Sequence, residues 1–172
     1  IISCLKPMNN TILIIGSNSF AGSNFCDYLL NKKFKVIGVS RSNEINKIFL
    51  KYKKNKYHKK NFSFYKTNLN KDKDIIKLVK LIKLKKIKYI VNFASQGMVA
   101  ESWLNPEHWY QTNVVSQVKL HDELRKFDCI KKYVHISTPE AYGSTDGEWL
   151  KENYNFSPST PYAVSRAACD LH

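Results

Sequence analysis

The chain has 172 residues, 43% of them hydrophobic, which is enough for one substantial core, so a single globular domain is expected. Its 28 Lys+Arg against 14 Asp+Glu give a net charge of +14. The lysines stand in runs such as Lys51–Lys60 and Lys80–Lys88, mixed with Ile and Asn and without an aromatic-interleaved motif, so no specific nucleic-acid partner is expected. No apolar run reaches the roughly 20 residues that span a bilayer, and the first residues lack the apolar core of a signal peptide. Cys4, Cys26, Cys129 and Cys169 form no CxxC pair. These features predict a cytoplasmic protein with reduced thiols and no membrane partner.

In chain order, residues 1–10 precede the first strand-like run and include Met8, so they are expected to be disordered or upstream sequence. Apolar runs rich in β-branched and aromatic residues follow at Thr11–Ile15, Lys35–Val39, Phe62–Tyr65, Tyr89–Phe93 and Tyr133–Ile136, each of strand length. Their near-continuous hydrophobicity predicts strands buried on both faces, as in a parallel sheet. Between them, Gly22, Phe25, Cys26, Leu29 and Leu30 fall on one helical stripe, as do Ile75, Leu78, Val79 and Ile82, and Trp109–Leu124 is a third, longer helix candidate. Lys51–Lys60 is expected to be a polar basic loop or short helix. Strand alternating with helix predicts an α/β fold, a Rossmann-like doubly wound parallel sheet with helices on both faces, over residues 11–172. Trp103, Trp109 and Trp149 are read as packing residues and His135 as a core or near-core side chain. The five histidines show no ligand spacing, so no metal site is expected.

The first strand runs directly into Gly16-Ser17-Asn18-Ser19-Phe20-Ala21-Gly22 and then the first helix. A dinucleotide needs a tight turn, close backbone approach and a helix N-terminus for its pyrophosphate. Gly16 and Gly22 suit the turn and the helix–strand contact; the plain alternative is an ordinary glycine turn. The run resembles the GxxGxxG of short-chain dehydrogenases, with Ser19 at the middle glycine and Phe20 where extended members carry an aromatic or aliphatic residue. No acidic residue closes the second strand to accept the ribose hydroxyls of NAD. Instead Val39-Ser40-Arg41-Ser42 offers a cation and two hydroxyls, chemistry suited to a 2′-phosphate, so NADP is favoured over NAD; Arg41 stacked on adenine or facing solvent is the alternative. Asn68-Leu69 stands where that family often has Asp-Leu near adenine.

The most specific stretch is Tyr133–Ala168, YVHISTPEAYGSTDGEWLKENYNFSPSTPYAVSRAA. It resembles the HISTDEVYG…SPYSASK core of nucleotide-sugar 4,6-dehydratases, in the extended short-chain dehydrogenase/reductase (NAD-dependent epimerase/dehydratase) family. Asn92-Phe93-Ala94-Ser95-Gln96 is similar to its N-x-A-A-Q, and Asn113-Val114 to its helix-borne Asn-Val. The resemblance implies a cofactor site of Gly16, Ser19, Phe20, Gly22, Arg41, Asn68, Leu69, Phe93, Ala94, Ser95, Tyr162 and Arg166, with Asn113 in structural support. It implies a catalytic set of Thr138, Glu140, Tyr162 and Arg166.

In that chemistry a tyrosine takes the proton of a sugar C4 hydroxyl, which requires positive charge nearby to lower its ordinary pKa of roughly 10. Tyr162 is the candidate, with Arg166 one helical turn on, where the family has lysine. Thr138 is expected to bond the same sugar oxygen, and Glu140 to remove the C5 proton acidified by the C4 ketone. Pro139 replaces the family's adjacent acid. The implied function is a redox-neutral lyase: C4 oxidation, loss of water across C5–C6 and hydride return to C6. Alternatives are a nucleotide-sugar C4 epimerase or nucleotide-uronate decarboxylase of the same family, and a non-catalytic dinucleotide- or nucleic-acid-binding protein. The chain is expected to stop before the C-terminal substrate-binding domain and to be inactive by itself, the complete protein being a homodimer that takes a nucleotide sugar.

Overall fold

The computed structural model describes residues 10–152 and 155–172, which leaves the expectation for the first segment, and Cys4 within it, outside the described residues. Five parallel strands form one sheet: β1 Thr11–Ile15, β2 Lys35–Ser40, β3 Phe62–Lys66, β4 Tyr89–Asn92 and β5 Lys132–His135, in the order β3-β2-β1-β4-β5. The expected strands therefore all form, with ends shifted by at most a residue. The order reverses between β1 and β4, and this is the crevice where open α/β sheets bind ligands at their strands' carboxyl ends. There Ile15 pairs with both Val39 and Asn92.

The central strands follow the expectation of burial on both faces: Ile12, Leu13, Ile14 and Ile15 are all buried, as are Val36, Ile37 and Val39. β3 does not. It lies at the edge of the sheet, and Ser63, Tyr65 and Lys66 are exposed while Phe62 and Phe64 are half-buried, because one flank has no neighbouring strand.

Helix α1, Phe20–Asn31, buries Gly22, Cys26, Leu29 and Leu30 from its expected stripe and adds Ser23. Phe25 is half-buried and its ring lies 5.6 Å from that of Phe93. Helix α3, Asp72–Leu84, buries Ile75, Leu78, Val79 and Ile82, and Asp72 and Asp74 in its first turn complement the helix dipole.

The basic segment forms short helical turns, one of the two expected forms, and also buries a residue that the sequence reading did not single out. Lys51–Lys54 is a 3-10 turn, followed by the single helical turn α2, His58–Asn61. Tyr52, flanked by lysines, is fully buried and stacks on Phe62 at 4.3 Å, with Leu50 buried beside it in the same core cluster. The Lys51 N–H donates to Ser23 Oγ at 2.8 Å, and the Asn55 amide donates to Asp27 Oδ1 at 2.7 Å, so this segment is tied to α1. Hydropathy alone cannot show this, because one inward ring among exposed ammonium groups leaves no periodic signal.

The chain divides into two compact units, residues 1–94 with 123–135 and residues 95–122 with 136–172. The first holds the sheet. The second holds α4, Pro106–Tyr110; a π-helical segment, Gln111–Val115; most of α5, Ser116–Leu124; and α6, Pro161–Leu171. The long helix thus starts three residues before Trp109 and widens by one π turn. Trp109 is buried, its indole N–H donating to the Gly97 carbonyl at 2.7 Å. Trp103 is 63% exposed and Trp149 fully exposed, so for these two the packing expectation is corrected.

Tyr52→Ala is expected to cost about 3–5 kcal/mol, the range for deleting a buried aromatic ring, while Lys51→Ala, on the exposed side of the same turn, should stay within about 0.5 kcal/mol. Denaturant-unfolding midpoints of the two variants check this.

Candidate functional site

The first unit builds a tight glycine turn at the carboxyl end of β1. Gly16 has φ +84°, and a Cβ there would lie 2.8 Å from the Ala94 nitrogen; one on Gly22 would lie 2.3 Å from the Gly16 carbonyl oxygen. Both positions therefore exclude a side chain. Ser19, in place of the motif's middle glycine, turns its hydroxyl inward: Oγ donates to Gly16 O at 2.8 Å and accepts the Gly22 N–H at 3.0 Å, capping α1. Its bulk is thereby spent on the turn itself. The N–H groups of Phe20 and Ala21 are left without a protein acceptor among the described residues, at the positive end of a 12-residue helix. The Phe20 ring is 87% exposed.

Beyond β2, the two hydroxyls read as ligand groups are engaged by Asn18. The Asn18 N–H donates to Ser40 Oγ at 2.9 Å, and its amide group donates to Ser42 O at 3.3 Å, Asn43 O at 3.0 Å and Ser42 Oγ at 3.5 Å. Arg41 is exposed. The acid absent from the strand end appears three residues past Arg41: Glu44 Oε1 accepts the Tyr52 hydroxyl at 2.9 Å and Oε2 lies 3.6 Å from Lys53 Nζ. Sequence reading missed Glu44, since it sits beyond the strand and is brought back by Tyr52 and Lys53.

After β3, Asn68 Oδ1 accepts the Asn70 N–H at 3.1 Å in its own turn, the Asn68 N–H donates to Asp74 Oδ2 at 3.0 Å, and Leu69 is buried. After β4, buried Asn92 donates to the Tyr133 hydroxyl at 2.7 Å and accepts the Ala94 N–H at 2.9 Å, shaping the Phe93–Ala94 exit past Gly16. Ser95 is exposed.

In the second unit, Thr138 caps a 3-10 turn, Pro139–Tyr142, accepting the Glu140 N–H at 3.4 Å; Thr138 and Glu140 are both half-buried. The turn packs against α6. It ends at Gly143, φ +76°, where a Cβ would meet the Ser157 carbonyl oxygen at 2.1 Å, a constraint that sequence reading did not single out. Helix α6 starts at a Thr160 cap that accepts the Ala163 N–H at 3.1 Å, with Pro161 in its first turn. Tyr162 follows, half-buried, its N–H donating at 3.2 Å to the buried Ser102 Oγ. Arg166 is 2% exposed: its Nη2 donates to the Ile136 carbonyl, while Nε and Nη1 have no acceptor among the described residues. Burial pushes the Cys169 thiol up to about 11 despite the nearby Arg166 charge, and burial raises Cys26 further, so neither is a reactive thiolate.

Asn113 holds this unit's polar interior together from within the π segment. Its amide oxygen accepts the Gln96 N–H at 2.7 Å, and its amide nitrogen donates to Gln96 O at 3.0 Å and Ser165 Oγ at 2.9 Å; Ser165 in turn donates to Tyr162 O at 2.7 Å. Asn113→Ala strands the half-buried Gln96 backbone groups and the buried Ser165 hydroxyl and is expected to lower stability by about 2–4 kcal/mol. Asn113→Leu, of similar size, should not recover it; thermal unfolding of both variants is the check.

The model of the GDP-mannose 4,6 dehydratase family matches residues 13–172. The GDP-mannose 4,6-dehydratase of Vibrio cholerae is 26% identical over 165 residues, covering 92% of this chain and 43% of its own length. The crystal structure of dTDP-glucose 4,6-dehydratase from Bacillus anthracis, in complex with NAD, is 29% identical with a TM-score of 0.75, over 94% of this chain and 48% of that one. A UDP-Glc/GlcNAc 4-epimerase from Campylobacter jejuni shares the fold, with a TM-score of 0.81 at 23% identity over 95% of this chain and 47% of that one. The chain spans about half the length of the curated relatives it matches. A match running through both units, on a 3-2-1-4-5 parallel sheet with a glycine turn at its reversal point, places the chain in the GDP-mannose 4,6-dehydratase family of NAD-dependent nucleotide-sugar dehydratases and epimerases.

Proposed function

We propose that the chain carries the dinucleotide-binding and proton-transfer residues of a nucleotide-sugar 4,6-dehydratase. The observation that carries this choice within the family is Glu140, a half-buried carboxylate on a turn packed against the helix that bears Tyr162. Simple C4 epimerisation has no need of a base for C5; elimination across C5–C6 does.

In the first unit the residues fit a pyrophosphate on two counts: Gly16 and Gly22 leave no room for a side chain, and the Phe20 and Ala21 N–H groups stand at a helix N-terminus. In the second unit taken by itself, Arg166 buries two donors with no acceptor among the described residues. When bound, a nicotinamide supplies the hydride acceptor for C4 and the donor for C6. Tyr162 takes the C4 hydroxyl proton. Arg166 supplies the positive charge beside it and offers Nε–H and Nη1–H to ribose hydroxyls; unlike lysine it keeps its proton, so it orients and does not relay. Thr138, whose oxygen accepts the Glu140 N–H, still has its own O–H to give to the sugar O4. Glu140 removes the C5 proton. Pro139 has none to give, so the proton for the departing C6 hydroxyl comes from Glu140, from a water or from the substrate-binding part of the complete polypeptide, and water leaves.

In the complete natural polypeptide, Glu140→Gln should permit C4 oxidation and block C5 proton removal. Absorbance of reduced nicotinamide then rises without a 4-keto-6-deoxy product. Unimpaired dehydration would remove Glu140 as the base, and a C4 epimer formed by the unmutated protein would replace dehydratase by epimerase.

The exposed Arg41 supports NADP over NAD, since a cation favours a 2′-phosphate. Arg41→Asp is expected to reverse the preference, weakening NADP by about 10- to 100-fold, the worth of one charge-assisted contact. Calorimetric Kd values for both dinucleotides decide it; equal affinities in the unmutated protein would exclude the preference.

A further inference from the structure

Asn18 and Glu44 accept from a single phenolic hydroxyl. Tyr52 Oη lies 3.2 Å from Asn18 Oδ1 in the phosphate turn and 2.9 Å from Glu44 Oε1 in the loop after β2. Both acceptors are fixed from other sides. The Asn18 amide nitrogen is committed to the Ser42 and Asn43 carbonyls, which leaves its oxygen facing Tyr52, and the second Glu44 oxygen pairs with Lys53. Burial first, and then the Glu44 carboxylate, push the Tyr52 hydroxyl well above the usual phenol range, so it stays a donor. Tyr52 itself cannot swing away, because its ring is fully buried against Phe62 and His58.

The carboxylate thus sits within hydrogen-bond reach of an oxygen that also touches the phosphate turn, three residues past the exposed Arg41. A free carboxylate there would accept two ribose hydroxyls and repel a 2′-phosphate. We infer that Tyr52 is a specificity-determining residue: by engaging Glu44, with Lys53 on its other oxygen, it withholds an acid that would otherwise favour NAD and leaves Arg41 as the dominant charge toward the ribose. The inference rests on the dinucleotide reading of this turn. Tyr52 acts through Glu44 and touches no ligand itself, so it is a positioning residue whose effect appears in a ratio.

The experiment compares Kd for NADP and for NAD in the complete natural polypeptide, its Tyr52→Phe variant and the Tyr52→Phe/Glu44→Gln double variant. Tyr52→Phe keeps the buried ring and removes only the hydroxyl. It is expected to shift the affinity ratio toward NAD by about tenfold, the scale of one hydrogen bond to a charged group, and Glu44→Gln should bring the ratio back. Lys53→Gln, a change at a partly exposed side chain, releases the other oxygen and should shift the ratio the same way, which keeps the test available if Tyr52→Phe folds poorly. An unchanged ratio in Tyr52→Phe and Lys53→Gln, a loss of affinity equal for both dinucleotides, or a shift that Glu44→Gln does not reverse would overturn the inference. A parent protein that binds neither dinucleotide would instead overturn the cofactor reading beneath it.

Discussion

The first unit depends on how closely its backbones meet at the carboxyl end of β1. Gly16 leaves the strand with a positive φ, the Ala94 nitrogen stands where its side chain would be, and the Gly16 carbonyl stands where that of Gly22 would be. Three elements, the β1 exit, the β4 exit and the first turn of α1, therefore touch through main chain. Their order follows from the sheet: β1 pairs with β2 on one side and β4 on the other, so both neighbours' exits converge on this turn. Gly16 and Ser17 N–H groups both donate to Val39 O, and the Phe93 N–H to Ile15 O, so strand pairing continues into the loops without an orphaned donor. Gly38 extends the same constraint into β2, where a Cβ would lie 2.6 Å from the Phe62 ring and 2.7 Å from Ser17 Oγ.

In the second unit, order comes from side-chain amides and hydroxyls. Ser102, Asn113, Ser116, Gln117 and Ser165 are all buried, an expensive set to remove from water unless each finds a partner. The π turn that carries Asn113 gives it its reach, since it lets the residue bond the Gln96 backbone and the α6 serine together. Tyr162 is fixed accordingly at its own N–H by Ser102 and at its carbonyl by Ser165. For the proton-transfer role proposed for Tyr162, such a network fixes position more strictly than an apolar core, whose contacts have no direction.

Much of this was legible in the sequence, for identifiable reasons. Strands β1, β2 and β4 are bounded by abrupt changes in polarity, and α1 and α3 carry regular apolar stripes, so local pattern and tertiary burial agree. The glycine turn was readable because its geometry needs glycine at two fixed places. Tyr52 was not, because its neighbours Lys51, Lys53 and Lys54 drown the signal of one inward ring. Glu44 was invisible for a related reason: it is brought back to the turn by Tyr52 and Lys53. Gly143 and Asn113 stood in legible motifs, yet the carbonyl that forbids a Cβ at one and the partners that surround the other come from segments distant in sequence. Trp103 and Trp149 show the opposite error, since a large apolar residue implies burial only on average.

The interior guanidinium of Arg166 also has a bearing on how the folded state is populated. Arginine keeps its charge in any protein interior, so two donors without an acceptor among the described residues are a standing penalty on the folded form. Any molecule that meets them is bound by the folded chain and not by the unfolded one. By mass action such a molecule adds stability that grows with the logarithm of its concentration, about 2.7 kcal/mol at a hundred times its Kd. A lysine, with a flexible stem and a single compact head, could turn toward water when nothing is bound. Arginine at this position therefore makes the stability of the folded chain depend on whether those two donors are met.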